Sequence, residues 1–392
     1  MDFELSREQR MIQKNTREFM KNKIEPAADA IDRDDRFPEG IWQTLGDLGF
    51  LGIALPEQYG GSDYDTLTFV LVLEQMGRIC PALGLSYGAH TNLCAHNLAR
   101  NGSAELKEKY LPGLISGERV GCMGLTEPEA GSDAVGIQTR AHYENGHYVL
   151  NGTKTFITNA LEADVALVYA KTEPEAGSRG ISAFLVEKGF PGFSVGGKIE
   201  KMGNKGSSTG ELVFNNCRVP SQNLIGGENE GIRVMMNGLD VERTIYAGLA
   251  LGLAEGALEA ALDYSKKRKQ FGRPICEFQM IKAKLADMYT ETEAARSLVY
   301  RTAVMADKAD KGEKGSPIHK MGAASILFAA ETANRAVDQA VQIHGGYGYT
   351  TEFAINRLYR DAKLYEIGAG TSEVRRLVIA DELIKRGLSY GL

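Results

Sequence analysis

Hydrophobic and polar positions follow one repeat at the two ends of the chain and a different one in the middle. From Glu8 to Lys23 and from Leu67 to Met76, apolar residues recur at steps of three and four, which predicts amphipathic helices. The Gly60-Gly61-Ser62-Asp63 cluster between them is typical of a loop that interrupts helical structure. The helical repeat returns in the last third of the chain and predicts long helices over residues 231–268, 278–311 and 317–345.

Between about residue 120 and residue 230 the pattern changes to short β-rich runs with a period of two. These runs cover residues 147–150, 164–170, 180–186 and 211–214. Two tight-turn signals, Asn145-Gly146 and Asn151-Gly152, flank the first run and favour antiparallel pairing. The pattern predicts an antiparallel β domain, either a small barrel or a sandwich. The expected organisation is a helical domain at 1–120, a β domain at 121–230 and a helical domain at 231–392.

The composition is that of a globular protein and narrows the classes of function. The chain has 392 residues, 43% hydrophobic and 24% charged, and this length suggests two or three packed domains. A formal charge of -6 gives no general attraction for nucleic acid, and no apolar run approaches the roughly 18 residues of a membrane span. The five cysteines form no Cys-x-x-Cys pair, and the N-terminus lacks the zones of a secretory signal. We expect reduced thiols, no metal site, no membrane insertion, and a cytoplasmic or mitochondrial-matrix location.

One carboxylate interrupts an apolar face of the first long C-terminal helix. The face consists of Met235, Leu239, Glu242, Tyr246, Leu249 and Leu253. Because no charged residue occurs from Thr244 to Ala254, Glu242 lies at the edge of a buried surface. Loss of hydration raises the pKa of such a carboxyl from about 4.3 toward neutrality, as a general base requires. The alternative is a structural ion pair between Glu242 and Arg243.

The segment Tyr365-Glu366-Ile367-Gly368-Ala369-Gly370-Thr371 resembles the C-terminal motif of acyl-CoA dehydrogenases. Most members of that family carry a catalytic Glu where this chain has Ala369. Leu239 to Arg243 is similar to the Leu-Asp-Leu-Glu-Arg motif of the isovaleryl-CoA dehydrogenase branch, in which the base lies on this helix. The resemblance implies that Glu242 is the base and that the Ala369 N–H stabilises the enolate oxygen. It also implies the family fold, in which an N-terminal helical domain, a small antiparallel β-barrel and a C-terminal four-helix bundle follow one another.

Further motifs resemble the flavin contacts of the same family, whereas a Gly-x-Gly-x-x-Gly dinucleotide motif is absent. Thr126-Glu127-Pro128-Glu129-Ala130-Gly131-Ser132-Asp133 is similar to a flavin loop, and Phe156 stands where the family usually has Trp. Arg suits contacts to a pyrophosphate because its guanidinium offers a fixed fork of donors. The resemblance implies FAD, bound partly by a neighbouring subunit, and a homotetramer. The implied FAD residues are Leu125, Thr126, Ser132, Phe156, Ile157, Thr158, Arg268, Phe271, Gln279, Gln342, Ile343, Gly345, Gly346, Thr371, Ser372 and Glu373.

The resemblance also implies an acyl-CoA substrate and an electron-transfer flavoprotein as the electron acceptor. The implied substrate residues are Leu85, Ala89, Ser132, Leu239, Asp240, Arg243, Tyr246 and Gly368. Tyr246 departs from the isovaleryl branch, which has Leu there, and its hydroxyl is able to hydrogen-bond an oxygen-bearing acyl group. A short or branched acyl-CoA such as isovaleryl-CoA is the first expectation. A carboxylated or aromatic acyl-CoA of the benzylsuccinyl type is the alternative.

Two other classes of protein share this scaffold. One comprises flavin oxidases and monooxygenases, which react with oxygen and are usually longer. The other is a branch of non-catalytic flavoproteins that bind DNA. The acidic charge balance and the presence of Glu242 favour a dehydrogenase over the DNA-binding class.

Overall fold

The computed structural model describes residues 4–310 and 318–388 of the chain. Its N-terminal part is helical, as the sequence predicts, and the predicted helices near residues 8–23 and 67–76 are present. Ser6 and Gln9 form a capping box that begins the first helix, and the Asp65 carboxylate caps α4 by accepting from the Thr68 N–H. The helices are α1 (Arg7–Phe19), α2 (Ala28–Asp34), α3 (Ile41–Asp47), α4 (Thr66–Ile79), α5 (Pro81–Gly88), α6 (Asn97–Asn101) and α7 (Ala104–Ser116). A π-helical segment, Ala89–His96, joins α5 to α6.

The middle part is one mixed sheet. Its strands are β1 (Gly121–Gly124), β2 (Arg140–Glu144), β3 (His147–Thr158), β4 (Val165–Lys171), β5 (Ile181–Glu187), β6 (Phe193–Val195), β7 (Thr209–Pro220) and β8 (Leu224–Ile225). They are ordered β6-β7-β3-β2-β4-β5-β8, and β1 pairs with β4 beside that path. All four predicted strand-like runs match strands to within one residue, since Asp164 and Gly180 lie just before β4 and β5.

The predicted antiparallel barrel differs from this sheet in two respects. Pairing is parallel between β1 and β4 and between β2 and β4, so the sheet is mixed. The sheet is also open, because its path begins at β6 and ends at β8 without pairing between them. The open edges coincide with short strands, since β6 has three residues and β8 has two.

The C-terminal part is a helical bundle with long helices close to the three predicted ranges. They are α8 (Gly231–Lys267), α9 (Gln279–Asp310), α10 (Ile318–His344), α11 (Ala354–Ala362) and α12 (Ser372–Arg386). A hairpin of β9 (Lys269–Gln270) and β10 (Arg273–Pro274) follows α8.

Glycines on α8 let its backbone pack directly against α4, which fixes the position of the helix that carries Glu242. A Cβ atom on Gly252 would lie 1.9 Å from the Glu74 carbonyl oxygen, and one on Gly256 would lie 2.3 Å from that of Arg78. Helix α8 is long and apolar enough to cross a membrane, but 78% of its most apolar window is buried inside the protein. Its hydropathy is therefore explained by its place in the core.

Candidate active site

Glu242 is a buried carboxylate in the first half of α8. It is 5% exposed, and its Oε2 atom has no hydrogen-bond partner among the residues that the structure describes. Burial raises the pKa of Glu242 to about 7, although the charges of Arg243 and Arg375 act in the opposite direction. The loss of hydration therefore outweighs two nearby cations. A carboxylate in this state is able to take up a proton near neutral pH.

Ala369 lies in a loop between a short 3-10 turn, Lys363–Glu366, and the start of α12. Its φ of 56° and the φ of 86° at Gly370 place two consecutive residues in the left-handed region. Thr371 then caps α12, because its side-chain oxygen accepts from the Val374 N–H. Ala369 packs against the hydrophobic core that also contains Tyr246 and Tyr365. The loop and the α8 face therefore border the same core, although 127 residues separate Ala369 from Glu242 in sequence.

Arg375 connects this loop to the Glu242 cluster, and the sequence reasoning did not identify it. Its guanidinium donates from Nη1 to the Tyr365 carbonyl over 2.8 Å and from Nη2 to the Gly368 carbonyl over 2.6 Å. Burial lowers its pKa to about 10, together with repulsion from Arg243, whereas Glu242 raises it. The available sequence signal is the pair Arg375-Arg376, in which only the first arginine points inward.

Tyr246 lies one helical turn after Glu242 and is 4% exposed. Its hydroxyl donates to the Leu85 carbonyl over 3.1 Å, so its proton is committed to α5 and not available to an acyl group. Gly88 makes room for the ring, because a Cβ atom there would lie 2.8 Å from the Tyr246 hydroxyl oxygen. Ala89 follows directly and is buried.

The other predicted substrate residues occupy different surroundings. Leu239 and Arg243 lie on α8 near Glu242, and Arg243 Nη1 is 3.4 Å from His319 Nδ1. The Asp240 side chain lies outside the described residues. Ser132 is exposed in the loop after β1, and Gly368 provides one of the two carbonyls that Arg375 holds.

The predicted flavin loop, residues 125–133, is anchored by a buried ion pair. The Glu127 carboxylate accepts from Lys154 Nζ over 2.7 Å and from the Gln138 and Thr139 N–H groups over 2.5 and 3.0 Å. Lys154 also donates to the Leu125 carbonyl over 3.1 Å and is fully buried on β3. Lys154 faces inward on its strand, and its role as the ion-pair partner of Glu127 is evident only from the tertiary structure.

Strand β3 presents Phe156 beside this loop. A register shift occurs between Lys154 and Ile157, and Phe156 has a φ of 56° and is 65% exposed. Ile157 is buried beneath it, and Thr158 is partly buried. The irregular pairing turns a large aromatic ring outward, which provides a surface for stacking.

A second group of predicted cofactor residues lies at the far end of α8. Arg268, Ile343, Gly345 and Gly346 line one cavity of about 510 Å³. Phe271, with a φ of 51°, is 92% exposed on the adjacent hairpin. Gln279 and Gln342 are exposed nearby in sequence and are not among the residues that line this cavity.

These surroundings fit FAD. Cβ atoms on Gly131, Gly345 or Gly346 would meet no atom within 4 Å, so a large group has room beside these backbones. The Ser372 hydroxyl oxygen is buried without a hydrogen-bond partner among the described residues, and Thr371 and Glu373 flank it at the α12 N-terminus. The exposed aromatics suit a flavin ring, and Arg268 suits a phosphate. Within the described residues no group of three or more His, Cys, Asp or Glu side chains is arranged to hold a metal ion.

Comparison with known families decides the class. The acyl-CoA dehydrogenase N-terminal domain matches residues 6–118, the middle domain residues 122–217, and the C-terminal domain residues 229–384. The chain belongs to the acyl-CoA dehydrogenase family. It is an enzyme that dehydrogenates an acyl-CoA thioester.

Individual relatives cover almost the whole chain. Mitochondrial isovaleryl-CoA dehydrogenase of Pongo abelii is 48% identical over 96% of this chain and 88% of its own length. The butyryl-CoA dehydrogenase structure from Megasphaera elsdenii has a TM-score of 0.94 and 40% identity over 98% of this chain and 100% of its own. A chain from a structure of the electron transferring flavoprotein of Acidaminococcus fermentans reaches a TM-score of 0.95 at 42% identity, covering 98% of this chain and 100% of that one.

Proposed function

We propose that this acyl-CoA dehydrogenase uses Glu242 as the base that removes the substrate α-proton. The observation that carries the proposal is a carboxylate on α8 that is 5% exposed and has a pKa raised to about 7 by burial. Ala369 occupies the position of the base in most of the family and has no side-chain acceptor. The structural ion pair with Arg243 is the weaker alternative, because burial has a larger effect on Glu242 than either neighbouring cation.

In the proposed reaction the α-proton bonds to a Glu242 oxygen, and the electron pair of the broken α-C–H bond is delocalised toward the thioester carbonyl. Negative charge thus passes from Glu242 to the carbonyl oxygen. The Ala369 N–H donates a hydrogen bond to that oxygen and lowers the energy of the enolate-like state. Burial of the surrounding core excludes water, which strengthens these interactions. As the β-hydrogen leaves with its own electron pair as a hydride, the α-carbon pair forms the Cα=Cβ double bond of the 2-enoyl-CoA product.

We propose FAD as the cofactor, which when bound supplies the acceptor for the β-hydride. Leu125, Thr126 and Ser132 would border the flavin with Phe156, Ile157 and Thr158, and the loop is held from behind by the Glu127–Lys154 pair. Arg268 and the cavity beside Gly345 and Gly346 would hold the phosphate and adenosine end, together with Phe271, Gln279, Gln342, Ile343 and residues 371–373. An outward Phe271, 92% exposed, is consistent with contact to a neighbouring subunit.

The proposal also covers the oligomeric state, the electron acceptor, the cellular location and the acyl group. We propose a homotetramer and reoxidation by an electron-transfer flavoprotein, with a cytoplasmic or mitochondrial-matrix location. The domain division at 1–120, 121–230 and 231–392 belongs to the same proposal. Isovaleryl-CoA dehydrogenase similarity and the buried Tyr246 ring together favour a short or branched apolar acyl group. A carboxylated or aromatic acyl-CoA remains the alternative.

The test is anaerobic mixing of the flavin-loaded protein with a series of acyl-CoA thioesters while flavin absorbance is followed. Glu242→Gln is expected to retain FAD and thioester binding but to lose bleaching by several orders of magnitude, since an amide is a poor proton acceptor. Glu366→Gln is the matched control, because Glu366 is ion-paired with Lys363 over 2.6 Å and should be dispensable. Near-normal bleaching by Glu242→Gln would assign the base to another residue. Rapid reoxidation by air instead of the flavoprotein would favour an oxidase.

A further inference from the structure

The loop that carries Ala369 has a conformation that its own sequence does not favour. An L-residue in the left-handed region costs roughly 1–2 kcal/mol, and here Ala369 adopts it at a φ of 56°. Ile367 is exposed, so the loop is not held by burial of its largest side chain. Contacts from outside the loop must therefore stabilise its shape.

Arg375 supplies those contacts from the first turn of α12. Its side chain is 1% exposed, and it holds the carbonyls of Tyr365 and Gly368, which lie on either side of Ile367. The Gly368 carbonyl belongs to the same peptide unit as the Ala369 N–H, so fixing one direction fixes the other. Burying an arginine is costly unless it is paired or hydrogen-bonded, and the two carbonyl contacts offset part of that cost.

The same guanidinium belongs to the electrostatic surroundings of Glu242. Glu242 is faced by Arg243 and Tyr246 on α8, Tyr169 on β4 and Arg375 on α12. Two of these groups are cations, and Arg375 also contacts the Ala369 loop. During proton removal the negative charge leaves Glu242 and develops near the Ala369 N–H. A cation that interacts with Glu242 and also holds the Ala369 loop is therefore close to the charge both before and after the proton moves.

We propose that Arg375 is a positioning residue for α-proton removal: it orients the Ala369 N–H through two main-chain carbonyls and supplies positive charge to the Glu242 cluster. This inference rests on the proposed function of Glu242 and Ala369. It assigns Arg375 no direct contact with the substrate.

Three variants test the two parts separately. Arg375→Gln removes the charge and is expected to move the acidic limb of the pH–rate profile to higher pH, because the cation lowers the pKa of Glu242. It should also slow exchange of the substrate α-proton with D2O by about 10- to 100-fold, with kcat affected more than KM. Arg375→Lys keeps the charge but cannot span both carbonyls, so the acidic limb should stay in place while amide hydrogen exchange in residues 365–370 becomes faster. Arg376→Gln is the control, since Arg376 is exposed and paired with Glu331, and all readouts should stay within about twofold.

The outcomes separate this inference from the proposed function. If wild-type flavin is bleached by no acyl-CoA, or Glu242→Gln remains active, the proposed function fails. If wild type is active and Arg375→Gln has an unchanged acidic limb and unchanged amide exchange in the loop, only the role of Arg375 is overturned. Should Arg375→Gln fail to fold, Arg375→Lys decides, because unchanged amide exchange in that variant contradicts the positioning role.

Discussion

Tyr246 should set the depth of the acyl pocket, and replacing it with Leu should lengthen the acyl chain that the enzyme prefers. The ring is held between α5 and α8 by its hydrogen bond to the Leu85 carbonyl and by the absence of a side chain at Gly88. Because the ring lies one turn beyond Glu242, we expect an acyl chain that reaches past the reacting carbons to meet it. Tyr246→Leu removes that barrier without introducing a polar group.

The expected magnitude follows from the surface that a longer chain buries. Each buried methylene contributes about 0.8 kcal/mol, so two methylenes in the space vacated by the ring contribute about 1.6 kcal/mol. That corresponds to about a 15-fold rise in the ratio of kcat/KM for a linear six-carbon acyl-CoA over a four-carbon one. Relief of overpacking in wild type would add to this change.

The assay is steady-state kcat/KM over acyl-CoA thioesters of increasing length, with FAD content measured for every variant. Tyr246→Phe is the matched control: it keeps the ring, and the Leu85 carbonyl still accepts from the Ala89 N–H within the helix. Its chain-length preference should stay within about twofold of wild type. An unchanged preference in well-folded Tyr246→Leu would refute the reasoning. Gly88→Ala should be harmful in wild type, where its Cβ would lie 2.8 Å from the Tyr246 hydroxyl oxygen, and tolerated in Tyr246→Leu.

Three further outcomes are expected. The pKa of Glu242 is raised from 4.5 to about 7, so its ionisation costs stability as pH rises through that range. In thermal unfolding, Glu242→Gln should gain up to about 3 kcal/mol of stability over wild type at pH 8 and almost nothing at pH 4. An equal difference at both pH values would contradict this expectation. Lys154→Met leaves the buried Glu127 without its ion-pair partner, which should lower the free energy of unfolding by about 3–5 kcal/mol and weaken FAD retention. The double variant Lys154→Met with Glu127→Leu should recover part of that stability in the same thermal unfolding experiment. Arg268→Ala should weaken FAD retention on dialysis by about 10-fold, and equal retention by Arg268→Ala and the exposed-site control Lys269→Ala argues against a phosphate at that cavity.

The outline of the fold was predictable because helix and strand periods are local properties of the chain. The three long C-terminal helices and four of the strands lie where their patterns place them. Strands β1, β2, β6 and β8 of the main sheet were not predicted. Strands β1, β6 and β8 have only two to four residues, which are too few to display a period. Closure of the barrel was likewise undecided by local pattern, because it depends on whether distant edges meet.

The sequence by itself also determined that Glu242 interrupts an apolar helix face, since residues three and four apart share a face whatever surrounds the helix. Only the tertiary structure decided which groups complete that face. Arg375 contacts the loop of Ala369, and the Tyr246 hydroxyl donates to the Leu85 carbonyl. Away from that face, the tertiary structure likewise pairs Lys154 with Glu127. The physical reason is that burial and hydrogen bonding depend on neighbours brought together from distant parts of the chain, and no local repeat specifies those neighbours.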